Sequence, residues 1–155
     1  MTRLRILSLL ALALLAACDP AVVTSSPEMT GEWLAVFPSE NGARTEQRMT
    51  YGEDGSYTFE IIWYGFYNLP SSEVTGRSRA TGQYRLSGGR LELRIRQEEW
   101  QRYAAGPNPS VTVHDDAEWS GHGTVRIEGD RLLHTFVSAP ADAPIESTLA
   151  YLRAK

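Results

Sequence analysis

From Gly31 to Lys155 apolar and polar residues alternate in short runs, broken by turn residues about every ten positions. Helical periodicity is hard to find there, so the pattern predicts short antiparallel strands joined by tight turns. Three hairpins can be registered by requiring that paired strands send apolar side chains to one face. Glu53-Asp54-Gly55 reads as a three-residue loop with Gly55 in the left-handed position. That register sets Tyr51 against Tyr57, Met49 against Phe59, and Arg48 against Glu60 on the other face. A turn at Gly88-Gly89 pairs Leu86 with Leu91 and Tyr84 with Leu93, while Arg85 meets Glu92 outside. A turn at Gly129-Asp130 sets Ile127 against Leu132 and Val125 against His134. Further strands are expected over 32–37, 111–119 and 145–153, with Asn41-Gly42 turning the chain after the first. A sheet of eight or nine strands with one apolar face and no crossover helix must close on itself or split in two. The expected fold is all-β: a single antiparallel up-and-down barrel over 31–155.

The N-terminus follows a different pattern. Arg3 and Arg5 precede an almost unbroken apolar stretch, Ile6 to Ala17. Twelve helical residues rise about 18 Å, short of a bilayer core of ~30 Å, so the stretch reads as the helical core of a signal peptide. It ends in Leu15-Ala16-Ala17-Cys18, which resembles the bacterial lipobox. The resemblance implies cleavage after residue 17 and a lipid on the Cys18 sulfur, hence a lipoprotein held to a membrane by two or more acyl chains. Asp19 resembles the inner-membrane retention signal of some Gram-negative bacteria, with the outer membrane as the alternative. Residues 18–30, rich in Pro, Ser and Thr, read as the lipidated cysteine and a flexible tether.

Within the body, Gly31-Glu32-Trp33 is similar to the Gly-x-Trp opening of lipocalin-like, calycin-type barrels, and Asp54-Gly55-Ser56-Tyr57 and Gly82-Gln83-Tyr84-Arg85-Leu86 fit small bacterial lipoproteins of that group. The resemblance implies a basic residue stacked on the opening Trp at the closed end, and Arg153 is the residue for Trp33. It does not by itself imply a lipocalin's function.

Composition narrows the chemistry. The chain has 155 residues, a formal charge of −4 and one cysteine, enough for one domain and too few thiols for an intrachain disulfide or a thiolate zinc cluster. Without residues 1–17 the balance is thirteen basic against nineteen acidic side chains, an acidic protein unsuited to nucleic acid. Arginine outnumbers lysine fourteen to one. Codon bias explains that ratio better than a binding role.

The densest aromatic run, Tyr57 to Tyr67, places Tyr57, Phe59, Ile61 and Trp63 on the inward face, with Trp63, Tyr64, Phe66 and Tyr67 at an open barrel mouth. Its aromatic residues, together with Tyr84 and His134, are the candidate ligand-binding residues, with Asn68 to Gly76 as a lid; ordinary core packing is the competing reading. The cluster His114 to His122 holds carboxylates and imidazoles but no recognised metal-ligand spacing, and as a strand it reads as a solvated acidic face. Neither a Gly-x-Ser-x-Gly, a phosphate loop nor a His-Glu-x-x-His occurs. The pairs Glu98-Glu99 and Asp115-Asp116 would point to opposite faces of a strand. The expectation is a non-enzymatic protein with no metal or cofactor. It would hold a small apolar ligand or, alternatively, meet another envelope protein through its outer loops.

Overall fold

The computed structural model describes residues 26–66, 69–103, 109–138 and 144–155. The expected signal peptide, Cys18 and most of the tether lie outside the described residues. Nine strands are formed: β1 (Gly31–Pro38), β2 (Arg44–Tyr51), β3 (Ser56–Tyr64), β4 (Val74–Ser87), β5 (Arg90–Arg102), β6 (Ser110–Val113), β7 (Ser120–Glu128), β8 (Arg131–Ser138) and β9 (Ile145–Arg153). Eight of them close an antiparallel barrel in which β4 pairs with β5, β5 with β7, and β9 with β1, while β6 is an extra strand on β5. No α-helix occurs among the described residues.

The three hairpins adopt the registers that apolar pairing demands. Tyr51 faces Tyr57 and Arg48 faces Glu60; Tyr84 faces Leu93 and Arg85 faces Glu92; Val125 faces His134. Each carries apolar pairs on one side, so a one-residue slip would expose them all.

Two expectations need correction. The stretch 111–119 is not one strand: pairing stops at Val113, and β7 starts at Ser120. The reason lies across the sheet, where Arg96 Nη1 donates to the Asp115 carbonyl at 2.9 Å and Arg94 Nε to the Ala117 carbonyl at 2.7 Å. Those bonds hold 114–117 as a turn, and the reading of His114 to His122 as a solvated acidic strand face lapses with the strand. The second concerns the end of the tether. Residues 26–30 form a turn with Met29 fully buried, its carbonyl taking the Trp33 indole N–H at 2.8 Å. Arg153 donates to the carbonyls of Thr30 and Glu28, and its guanidinium stands 4.1 Å from the centre of the Trp33 ring. Three elements, the entering turn, β1 and β9, are thus clasped at one end of the barrel.

That end is solid. Trp33, Tyr51, Tyr84, Tyr151, Met29, Leu91 and Leu132 are the largest fully buried side chains. Tyr84 meets Tyr51 edge-on with centroids 4.9 Å apart, a favoured aromatic geometry, and its hydroxyl reaches the Gly52 carbonyl at 3.0 Å. Toward the other end two seams part. β1 and β9 pair only through Trp33–Arg153 and Leu34–Leu152, and β5 and β7 through Arg90–Thr124, Glu92–Gly121 and Leu93–Ser120. The β1–β9 pairing goes no further toward the mouth, and beyond Leu93 the edge of β5 is taken by β6 instead of β7; the barrel is open at that end.

Candidate functional site: the open lumen

Between the splayed walls lies a cavity of about 970 Å³ that opens to solvent. It is at the upper end of the volumes that hold small molecules. Met49, Phe59, Ile61, Leu93 and Ile95 line it from β2, β3 and β5, and Tyr57 closes its floor. Phe136 and Leu149 line it from β8 and β9, so the lining is mostly apolar. A small side chain helps to leave the space open at Ala80 on β4, which borders the cavity, and on β1 the residue paired with Gln47 is Ala35. The Tyr151 hydroxyl donates to Gln47 Oε1 at 2.8 Å, spanning β1 above that alanine. Burial pushes the Tyr151 phenol up to about 12, so it stays protonated.

Polarity gathers at the β7–β8 corner. With Val125 and Ile127 facing inward, strict alternation would send His122 outward. A bulge on β7 prevents this, because a step of two residues along β5 (Arg90 to Glu92) is matched by a step of three along β7 (Thr124 to Gly121). Gly123 makes the bulge with φ +94°, and a Cβ there would lie 2.0 Å from the Thr135 carbonyl oxygen. Both His122 and His134 therefore border the cavity. His134 Nε2 donates to the His122 carbonyl, and His122 Nε2 lies 3.1 Å from Ser120 Oγ. Burial lowers the pKa of both rings; the neighbouring His134 lowers His122 further, whereas the carbonyl bond partly offsets the effect on His134. Both imidazoles are neutral at pH 7. Glu98 also borders the cavity, on β5, where His114 Nε2 holds its Oε2 at 2.9 Å.

A smaller cleft of about 290 Å³ lies near the mouth between Trp63, Phe66, Gly76 and Trp100. The Trp63 ring lies against Gly76, where a Cβ would come within 3.3 Å of it.

The sequence candidates thus divide. Tyr57, Phe59 and His134 border the main cavity, whereas Trp63 and Phe66 border the small cleft. Tyr84 is packed in the solid end and borders neither, because alternation tells which face a residue takes but not its height in the barrel. Tyr64 lies on the outer wall, with the Arg44 guanidinium 3.8 Å from its ring centre and its hydroxyl 3.4 Å from Glu46. Tyr67 lies outside the described residues. The segment expected to act as a lid is held down at its base: Gly65 N–H bonds the Glu73 carbonyl at 2.9 Å and Arg44 the Ser71 carbonyl at 2.7 Å. Sequence reading placed Ile61 on the inward face without naming it as a ligand contact, and did not assign His122, Phe136, Leu149 or the Gln47–Tyr151 pair to the lumen. For Ile61 and Leu149 the signal was there, since each shares parity with a registered neighbour.

Among the described residues, no three His, Cys, Asp or Glu side chains stand close enough to hold a metal ion. His114 is taken by Glu98 and His122 by Ser120, so the two do not converge. The arrangement suits retention of an apolar molecule with a polar group directed at the β7–β8 corner. Comparison of the chain with protein-family models, with curated proteins and with solved structures returns no match.

Proposed function

We propose that the protein is a lipid-anchored binding protein of the cell envelope that holds a small apolar ligand in its barrel without transforming it. The observation that carries this reading is the apolar cavity of about 970 Å³, open at one end of a barrel sealed at the other. The anchor fits the same geometry. The described chain enters at the sealed end, where Arg153 clasps Glu28 and Thr30. From Cys18 to Ser26 an extended chain reaches at most roughly 28 Å, so a lipid on Cys18 would hold the sealed end toward the bilayer and the mouth away from it. Two acyl chains make such an anchor stable.

Native mass spectrometry of the protein purified from its own host is the test. A retained small molecule, lost on substituting Phe136 and Ile61 with polar residues, is the expected result; an empty barrel under mild conditions argues against it. For the anchor, Cys18→Ser is expected to leave the protein unprocessed and free of lipid. A variant processed and membrane-bound as before would overturn the lipoprotein reading. A second reading, contact with another envelope protein, is favoured by exposed apolar side chains on β6 (Val111, Val113) and at Val36 and Leu152 on β1 and β9. Capture of a protein partner with an empty lumen would support it.

A further inference from the structure

We propose that the ligand is an amphipathic anion, an apolar chain or ring system in the lumen with a carboxylate head received by His122 and His134. This rests on the lumen reading above and names the class of molecule the lumen takes.

The cavity distributes its polarity unevenly. Its β2, β3 and β4 walls contribute Met49, Phe59, Ile61 and Ala80, and the Gln47–Tyr151 pair satisfies itself. Two imidazoles, by contrast, stand on adjoining strands at one corner: His134 by its regular pairing with Val125, and His122 by a bulge at Gly123, whose backbone leaves no room for a Cβ. In each ring Nε2 is engaged, by the His122 carbonyl or by Ser120, and no bond to Nδ1 is made among the described residues. Nor is either Nδ1 a buried atom without a partner; Arg48 Nε is the only such atom among the described residues. A neutral imidazole with one nitrogen donating can still take a proton on the other and then donate from both. An anion at the corner supplies the reason to do so, because its charge offsets the desolvation that otherwise keeps the rings neutral. The balance is simple: carboxylate, neutral imidazole and one solvent proton give a carboxylate–imidazolium pair, with no bond of the ligand broken.

The other ionisable groups bordering the cavity are Arg90 and Glu98 on β5, Tyr57 on β3 and Tyr151 on β9; β2 and β4 contribute none. The two phenols are held protonated by burial. Glu98 carries its own partner in His114, and Arg90 adds positive charge on the β7 side, near Gly121. A carboxylate head therefore finds its counter-charge at the β7–β8 corner.

The test compares three fluorescent probes with the same tail, cis-parinaric acid and the corresponding alcohol and amine, titrated into the purified full-length chain from pH 6 to pH 8, with detergent blanks. One linked proton gives up to tenfold per pH unit in affinity, so the acid is expected to bind about tenfold tighter at pH 6 than at pH 8 while the alcohol stays flat. His122→Gln and His134→Gln are each expected to weaken the acid and flatten its pH profile. Retained alcohol binding reports that each variant has folded. Equal, pH-independent binding of acid and alcohol would overturn the head-group assignment and leave the lumen reading intact. Preference for an amine of the same length would also overturn it, placing the head at Glu98. Failure of every probe to bind would overturn both.

Discussion

The two ends of the barrel use the same alternation of inward and outward residues for opposite purposes. At the sealed end the inward positions are large and fit together: Trp33 beneath Arg153, Met29 against the indole, Tyr51 against Tyr57 and Tyr84. At the mouth the inward positions include Ala80, Gly123 and two histidines, the β1–β9 pairing stops at two pairs, and β6 replaces β7 along β5. An eight-stranded barrel is just wide enough for side chains to fill or for one small ligand. This chain does both, at different heights. Packing energy concentrated at one end frees the other from having to pack, and residues there can answer to a ligand instead.

Substitution at each end gives the sharpest way to break that division. Trp33→Ala removes a fully buried indole and should cost about 3–5 kcal/mol in denaturant unfolding. Phe136→Ala, on the cavity wall, should cost about 1 kcal/mol or less, because its ring already borders open space. It should instead weaken binding of a lumen probe. Equal costs at the two positions would abolish the distinction.

Alkali should act on the sealed end. Burial raises the phenol pKa of Tyr51, Tyr57 and Tyr84 above the usual 10. Their stabilising effect is complete below pH 10 and is lost as pH rises toward the folded-state values, because only the unfolded chain then ionises. Each fully buried phenol costs about 1.4 kcal/mol per pH unit above 10. A melting curve at pH 11 should show a steep loss, reduced in Tyr57→Phe.

Two glycines test the mouth by contrast with a simple turn. Gly123 and Gly129 both have positive φ, but a Cβ at Gly129 meets nothing within 4 Å, whereas one at Gly123 meets the Thr135 carbonyl. Gly129→Ala should cost about 1 kcal/mol and Gly123→Ala about 2–3 kcal/mol. Only the second should also disturb lumen binding, since the bulge is what turns His122 inward.

How much of this was legible beforehand follows the same division. Two of the three hairpin registers could be read because two signals coincided, apolar pairs on one face and Arg48–Glu60 or Arg85–Glu92 on the other; the third rested on the inward pairs Ile127–Leu132 and Val125–His134 alone. The Trp33–Arg153 contact was accessible through the Gly-x-Trp resemblance. Alternation failed wherever the strand was interrupted, at the Gly123 bulge and at the 114–117 turn that Arg94 and Arg96 stabilise. Met29 was hidden for another reason, lying in a Pro-, Ser- and Thr-rich segment with no period to mark it. Tyr84 was placed on the right face and at the wrong height.

Arg153→Lys sharpens the account of the sealed end. Lysine keeps the charge but loses the planar fork that reaches both Thr30 and Glu28 while lying on the indole. The expected cost is about 1–2 kcal/mol. Amide exchange should speed up over 26–30 before it does in β8, because the entering turn is clasped mainly by this side chain. Uniform acceleration would mean the turn is held by Met29 alone.

Acid gives the smallest effect and addresses the mouth alone. His122 and His134 have pKa values lowered by burial, so the folded protein resists protonation that the unfolded chain accepts. Their contribution to stability is complete above the unfolded-state value near 6.5 and is lost as pH falls through the lower folded-state values. Melting temperatures at pH 7.5 and 5.5 should differ modestly, and the difference should shrink in the His122→Gln, His134→Gln double variant. Glutamine at 134 can still donate to the His122-position carbonyl, so the comparison removes titration without removing the bond. A saturating carboxylate ligand should reverse the trend in the unaltered protein, because a bound anion raises the same two pKa values that the empty cavity lowers. An acid-induced loss that persists in the double variant would locate the sensitive group away from the β7–β8 corner.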